Sequence, residues 1–326
     1  MIASVAFKNF KALRGTSLVL SAFNLVIGPN GSGKTSLIQA LLRLRSLAKL
    51  PLADGVQKPG GPEIEFRFAV PHDAVQVRLG CISENVCDFL HVTPPGAAGW
   101  PALQTELRSI RSYLLDHDAL AEFAPPAPNS ALSLHGENLV GVLAYLQAHQ
   151  PDAFRALSAE LIRLLPEFRQ LTVEPREGGV MELVMILNDG SRVTADNLSQ
   201  GTLYLLGILV LAFDPAPPAV LCIEEIDRGI HPRMLREVRD LLYRLSYPAS
   251  FGLPRPPTQV IATTHSPYLL DLFRDHPEEI VISQKQGTEA KFERLSDRAD
   301  LAELMQEGSL GDMWFSGILG GVPEER

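Results

Sequence analysis

Cysteine is scarce: Cys81, Cys87 and Cys222 are the only three in 326 residues. So low and odd a count excludes a disulfide-framework domain and predicts a reducing compartment. Long apolar runs are missing too. None approaches the roughly 20 residues that a membrane-spanning helix needs, and the longest, around 202–213, is broken by Thr202, Tyr204 and Gly207. The opening MIASVAFKNFKALRG has no charged segment followed by an apolar one, so no secretory leader is expected and the chain reads as cytoplasmic. Positive charge is in deficit, with 29 Lys and Arg against 38 Asp and Glu, a net charge of −9. That balance argues against a surface built for sequence-independent DNA binding. A local strip from Arg43, Arg45 and Lys49 stays open beside the plainer reading of a solvated helix face. There are no internal repeats and no heptads long enough for a coiled coil. What is present, 46% hydrophobic and 21% charged residues, suits a soluble globular chain with one large core or two moderate ones.

Strands are predicted over 2–7 and 18–27, then a helix over 34–48 with leucines at helical spacing. Residues 63–70 and 74–82 alternate like a hairpin. From about 92 to 137 the sequence turns rich in Pro, Ala and Gly, with one helical piece near 102–115, and reads as a surface insertion. Two helices joined at Pro151 fill 138–165, and strands at 170–174 and 180–187 close on the Asn188–Asp189–Gly190 turn. Helices over 200–212, 232–246 and 267–273 then alternate with strands over 219–223, 258–263 and 279–283, the pattern of a parallel sheet covered by helices.

Residues 28–35 read Gly-Pro-Asn-Gly-Ser-Gly-Lys-Thr, after an apolar strand and before a helix. That is the context a phosphate loop requires. Its glycines let backbone N–H groups turn toward a phosphate at the helix N-terminus. Asn30, Gly31, Ser32, Gly33, Lys34, Thr35 and Ser36 are the candidate nucleotide contacts, with the Thr35 hydroxyl also a Mg²⁺ ligand. The motif says nucleotide, not protein class. At the end of the apolar strand 219–223 stand Glu224 and Glu225, on the strand end that faces the ligand crevice in α/β sheets. Glu224 is the candidate metal carboxylate and Glu225 the candidate base for an attacking water. Neighbouring strand residues point apart, so both acids share a site only if the strand stops there.

Leu198-Ser-Gln-Gly-Thr202 opens an apolar helix with Ser199 as N-cap, and Thr263-Thr-His-Ser-Pro-Tyr268 follows the strand 258–262. Alone, each reads as a capped core helix and a structural histidine. In the order phosphate loop, Leu-Ser-x-Gly, paired acids, strand-end His265, the chain resembles the ABC-type ATPases. The segments AVLCIEEIDRGIHP (219–232) and ATTHSPYLLD (262–271), with FKNFKALRG (7–15) and GSLGDMWFSGILGGVP (308–323), resemble the stand-alone "AAA family ATPase" branch akin to RecF, SMC and OLD proteins. Transporter ATPases differ at these places, which opposes a transporter subunit.

The resemblance implies an α/β fold: an ABC head with a mixed N-terminal sheet, a parallel core sheet and a short helical insertion. Its expected parts are an N-terminal lobe over 1–90, an insertion over 91–170 and a C-terminal lobe over 171–326. It implies ATP and Mg²⁺ as ligands, and a homodimer in which Ser199 and Gly201 contact the γ-phosphate of ATP held by a second copy. It also implies that His265 senses that phosphate and that Lys11 lies near the nucleotide. Gln76 is the candidate for the glutamine loop. Ile226 replaces the usual Pro, and Arg228 a small polar residue. OLD nucleases continue into a TOPRIM domain with an acidic cluster. No Asp-x-Asp cluster follows His265 here, so the expectation is an ATP-driven switch acting on a separately encoded effector, such as a TOPRIM-like nuclease, in phage defence or genome maintenance. A DNA-binding repair ATPase is the alternative. Cys81, Cys87, His72 and His91 match no zinc spacing and read as core thiols and surface imidazoles. The glycine-rich tail, with Met313, Trp314, Phe315, Ile318 and Leu319, is a candidate docking segment, beside the plainer reading that it packs onto its own domain or across the homodimer.

Overall fold

The computed structural model describes residues 1–50 and 61–320. The chain runs through β1 (Ile2–Phe10), β2 (Leu13–Val19), β3 (Phe23–Ile27), α1 (Lys34–Ala48), β4 (Glu63–Phe68), β5 (Gln76–Ser83), β6 (Val86–Thr93), α2 (Trp100–Arg108) and β7 (Arg111–Tyr113). Then come α3 (His117–Ala121), α4 (Leu139–His149), α5 (Pro151–Leu164), β8 (Phe168–Pro175), β9 (Met181–Leu187), β10 (Arg192–Thr194) and α6 (Gln200–Ala212). β11 (Val220–Ile223), α7 (Leu235–Ser246), β12 (Gln259–Thr264), α8 (Pro267–Asp271), β13 (Ile280–Gln286), β14 (Glu289–Arg294), α9 (Leu301–Glu307) and α10 (Leu310–Phe315) complete it. Two compact units result. The first takes Met1–Ser112, Pro218–Ile226 and the chain from Ser246 onward; the second takes Tyr113–Pro217 and Asp227–Leu245.

The first unit holds two sheets. One is antiparallel throughout, in the order β2-β1-β4-β5-β6. The other has the order β14-β13-β3-β12-β11-β7, with β13, β3, β12 and β11 parallel and β14 added antiparallel at the edge. The parallel strands are buried along their whole length where the sequence reads FNLVI, VLCI and QVIATT, as strands covered on both faces must be. Asn24, Gln259, Thr263 and Thr264 are the polar residues there, and the two amides, Gln259 and Asn24, are fully bonded. The Gln259 amide acts as an extra peptide unit: its Nε2 donates to the Ile2 carbonyl at 2.8 Å and its Oε1 accepts from the Ile2 N–H at 3.0 Å. This tie fastens the parallel sheet to β1. Asn24 Nδ2 donates to the Ser21 carbonyl at 2.8 Å, and its Oδ1 accepts from the guanidinium of Arg294 on β14 at 3.1 Å.

Helix α1 buries Leu37, Ile38, Leu41 and Leu44. Its last carbonyls need donors, and Gln104 and Arg108 of α2 both donate to the Ala48 carbonyl at 2.9 Å. Here the structure corrects the reading of residues 92–137 as surface throughout. Trp100, Leu103 and Leu107, spaced three and four apart along α2, and Ile110 all enter the core of the first unit. Cys81 and Cys87 correct another expectation: they pair across β5 and β6 as a disulfide rather than standing as free thiols. Cys222 is free and buried, and burial pushes its thiol up. His72 is buried against Glu106 at 3.0 Å, and His91 lies within 3.2 Å of Thr93 Oγ1.

The second unit has a three-stranded antiparallel sheet, β10-β9-β8, with α4 and α5 packed on it. Helix α6 is buried from Thr202 to Ala212, as a helix apolar on every side must be.

Of the two readings of the tail, packing onto its own domain is the one seen. Leu310, Met313 and Trp314 of α10 are buried within the first unit, where α10 lies against α8 and the Gly311 N–H donates to Asp271 Oδ1 at 2.8 Å. Of the five apolar residues Met313, Trp314, Phe315, Ile318 and Leu319, Phe315 and Ile318 are the exposed ones, at 82% and 49%, against 7% for Trp314. Trp314 is therefore a core residue and not a docking anchor. Trp314→Ala is expected to cost about 3–5 kcal/mol, whereas Phe315→Ala should stay within about 0.5 kcal/mol. Urea unfolding of the two variants checks this, and equal effects would contradict the packing.

Candidate functional site

The turn between β3 and α1 is pressed against the parallel sheet. A Cβ on Gly28 would stand 2.3 Å from the Ser283 carbonyl oxygen and 2.5 Å from Ser32 Oγ, so only glycine fits. Gly33 caps α1 in a left-handed conformation, φ 102°, and leaves the first turn of the helix open. Together with Asn30, Gly31, Lys34, Thr35 and Ser36 it lines a pocket of about 170 Å³. Glu224, Glu225, Thr263 and His265 form the facing wall.

The two acids reach one pocket because β11 ends at Ile223 and the chain then bends. Glu225 has φ 54°, a left-handed conformation costly for a residue with a side chain. Thr263 holds it there: its Oγ1 accepts from the Glu225 N–H at 3.0 Å, and its carbonyl accepts from the Ile226 N–H at 3.1 Å. Thr263, next but one before His265, is a site residue that motif reading passes over.

Lys34 is buried, and its ammonium donates to the carbonyls of Gly28 at 2.6 Å and Pro29 at 3.0 Å. Burial pulls it down from 10.5 to about 8, opposed by the nearby carboxylates of Glu225 and Glu224. Across the pocket the Thr35 hydroxyl donates to Glu224 Oε2 at 2.8 Å. A hydroxyl and a carboxylate oxygen so close are the hard-oxygen donors Mg²⁺ takes, so these two residues fit that ion. A cation there would balance phosphate charge and polarise the oxygens it touched.

Other expected residues lie elsewhere. Lys11, in the β1–β2 turn, donates to Gln39 Oε1 of α1 and lines a separate cleft with Arg14, Glu84, Asn85 and Thr288. Gln76 opens β5 in the antiparallel sheet and does not line the phosphate pocket. Ser199 and Gly201 belong to the second unit. There Ser199 caps α6 as expected, accepting from the Thr202 N–H at 3.2 Å. With Glu167, Gly229, Ile230 and His231 they line a hollow of about 390 Å³. A Cβ on Gly201 would lie 2.9 Å from the Gly229 carbonyl oxygen, so the helix start and the 227–231 loop touch backbone to backbone. Arg228 pairs with Asp116 at 3.9 Å inside the same unit.

The family described as "AAA domain, putative AbiEii toxin, Type IV TA system" matches residues 101–271, and one described as "AAA ATPase domain" matches residues 1–73. No curated protein matches the chain. Among solved structures, the SmcHead bound to the C-winged helix domain of ScpA is similar at 17% identity and TM-score 0.59, over 90% of this chain and 96% of that one. The SMC head domain from Thermotoga maritima gives 13% and 0.55, over 90% and 98%. An Smc head domain with an extended coiled coil, bound to the C-terminal domain of ScpA derived from Pyrococcus furiosus, gives 13% and 0.56, over 94% and 99%. At these identities the likeness shows the fold: that of an SMC-type ATPase head.

The lowered Lys34 has a consequence for stability. Between about 8 and 10.5 the unfolded chain holds a proton that folded Lys34 has lost. Stability from this group therefore rises as pH climbs through that window. Wild type should gain on Lys34→Met from pH 8 to pH 10.5 in urea unfolding; a constant or shrinking difference would contradict it.

Proposed function

This chain belongs to the AAA-domain family, and from that premise we propose that it is a Mg²⁺-dependent ATPase working as a dimeric switch on a separate effector. One observation carries the reading most: a single pocket gathers the phosphate loop, the Thr35–Glu224 pair, Glu225 and His265. In this reading the Lys34 ammonium exchanges the Gly28 and Pro29 carbonyls for phosphate oxygens when ATP enters. Thr35 and Glu224 would hold the Mg²⁺ ion, which would balance phosphate charge. Glu225 orients a water and takes its proton as the water oxygen bonds to the γ-phosphorus; the bond to the ADP oxygen breaks. His265, on the same wall, contacts the γ-phosphate.

Ser199 and Gly201 are assigned to the ATP of a second copy, which makes hydrolysis a property of two chains. Lys11 is kept near the nucleotide only as a supporter of α1, through Gln39. The effector is inferred because the described pocket chemistry ends at ATP. Two heads of this fold are seen holding a domain of ScpA. Defence against phage or genome maintenance in the cytoplasm is the setting the family resemblance implies, with the Cys81–Cys87 disulfide a feature that weighs against a reducing compartment. No helix among the described residues is long and apolar enough to cross a membrane. The duplex-DNA alternative is weaker, because Arg45 donates to the Ile110 carbonyl at 3.1 Å instead of joining a basic strip with Arg43 and Lys49.

Glu225→Gln should keep ATP binding and lower turnover by about 10²–10⁴-fold. A wild-type rate in steady-state assays would remove Glu225 from its role. Mixing Lys34→Ala with Ser199→Arg chains should restore part of the activity each lacks, since one composite site in the mixed dimer is intact. Full activity from a monomer in light scattering would refute the two-chain requirement.

A further inference from the structure

The hairpin of β13 and β14 lies along the phosphate loop. The parallel register of β13 on β3 sets Ile280 opposite Leu25, Val281 opposite Val26 and Ile282 opposite Ile27. The next residue, Ser283, therefore comes alongside Gly28. Its carbonyl abuts Gly28, and its hydroxyl donates to the Ser32 carbonyl. Ala290 on β14 continues the same wall: its N–H donates to the Ala12 carbonyl at 2.8 Å, and its Cβ would be 3.4 Å from one on Gly33. Side chains two apart on a strand share a face. Lys285, two residues beyond Ser283, thus follows it toward the loop. A Cβ on Gly31 would stand 3.6 Å from Lys285 Nζ.

Lys285 differs from Lys34 in every respect that matters for binding. Lys34 is buried and holds two carbonyls, whereas Lys285 is exposed and pairs with no carboxylate among the described residues. It brings a hydrated ammonium on a flexible four-carbon stem to Gly31, a residue that lines the pocket. Glu224 and Glu225 put negative charge on the opposite wall. Even with a divalent cation at Thr35 and Glu224 and the Lys34 ammonium on the loop, a triphosphate and the two acids together carry more negative charge than those cations offset.

We propose that Lys285 is a second phosphate-binding lysine, closing on the triphosphate from the hairpin side of the loop. The inference rests on the ATP-binding reading above and adds to it a residue that the loop motif does not contain. In this arrangement β13 seats the loop through Ser283 and supplies a counter-charge through Lys285. Loop shape and phosphate affinity thus come from one strand.

Titration of wild type, Lys285→Ala and Lys285→Arg with ATP, and separately with tripolyphosphate, tests it. Lys285→Ala should raise both dissociation constants about fivefold to tenfold, with Lys285→Arg restoring most of the loss. The apo melting temperature should not move, because the side chain is exposed. Unchanged ATP affinity in Lys285→Ala beside tight wild-type binding would overturn the inference alone. So would a loss for ATP not shared by tripolyphosphate, since the contact would then not be with phosphate. A wild-type chain that bound no ATP would sink the nucleotide reading and this inference with it.

Discussion

A methyl group on Gly28 would stand 2.3 Å from the Ser283 carbonyl oxygen, well inside contact distance. That approach between a loop and a neighbouring strand is the constraint on which the site depends. It requires β13 to pair in parallel register with β3, because only then does Ser283 arrive beside the first glycine. It also fixes the loop's inner edge, so that Lys34 turns back onto the carbonyls of Gly28 and Pro29. The buried polar ties of Gln259 and Asn24 serve the same end: they hold the sheet at one spacing and leave no buried amide unbonded.

The loop, the paired acids and the strand-end histidine were legible in the sequence because each is local: a few residues whose types are dictated by one turn or one strand end. Their meeting in one pocket follows from strand order, which an alternating β–α pattern implies. The capped helix at Ser199 was legible for the same reason. What escaped was set by tertiary partners. Residues 100–110 carry prolines and small residues around them, yet Trp100, Leu103 and Leu107 line one helical face and enter the core. β14 is short and half polar, and it is defined by its pairing with β13. Trp314 stayed open between an anchor for another protein and a core residue because its own pocket beside α8 is distant in sequence. Cys81 and Cys87 read as separate thiols until the β5–β6 register placed them opposite each other.

Charge illustrates the same division between local and global. A net charge of −9 says little about the potential at the phosphate loop, since exposed charges more than about 10 Å away are largely screened at 0.1 M salt. At the loop, Lys34 lines one wall and Glu224 and Glu225 the other, with the Lys285 ammonium outside, beside Gly31, so opposite signs meet locally inside an acidic chain.

The left-handed backbone at Glu225 carries one more implication. A non-glycine residue held at φ 54° costs on the order of 1–3 kcal/mol, and here the cost falls on the carboxylate assigned to activate water. Selection for a sturdier protein and selection for turnover therefore pull in opposite directions at a single position. A lineage that lost its need for hydrolysis would be free to drift there toward glycine, gaining robustness as it gave up chemistry. The residue at this strand end would then serve as a record of whether a related chain still works as an engine or persists only as a scaffold.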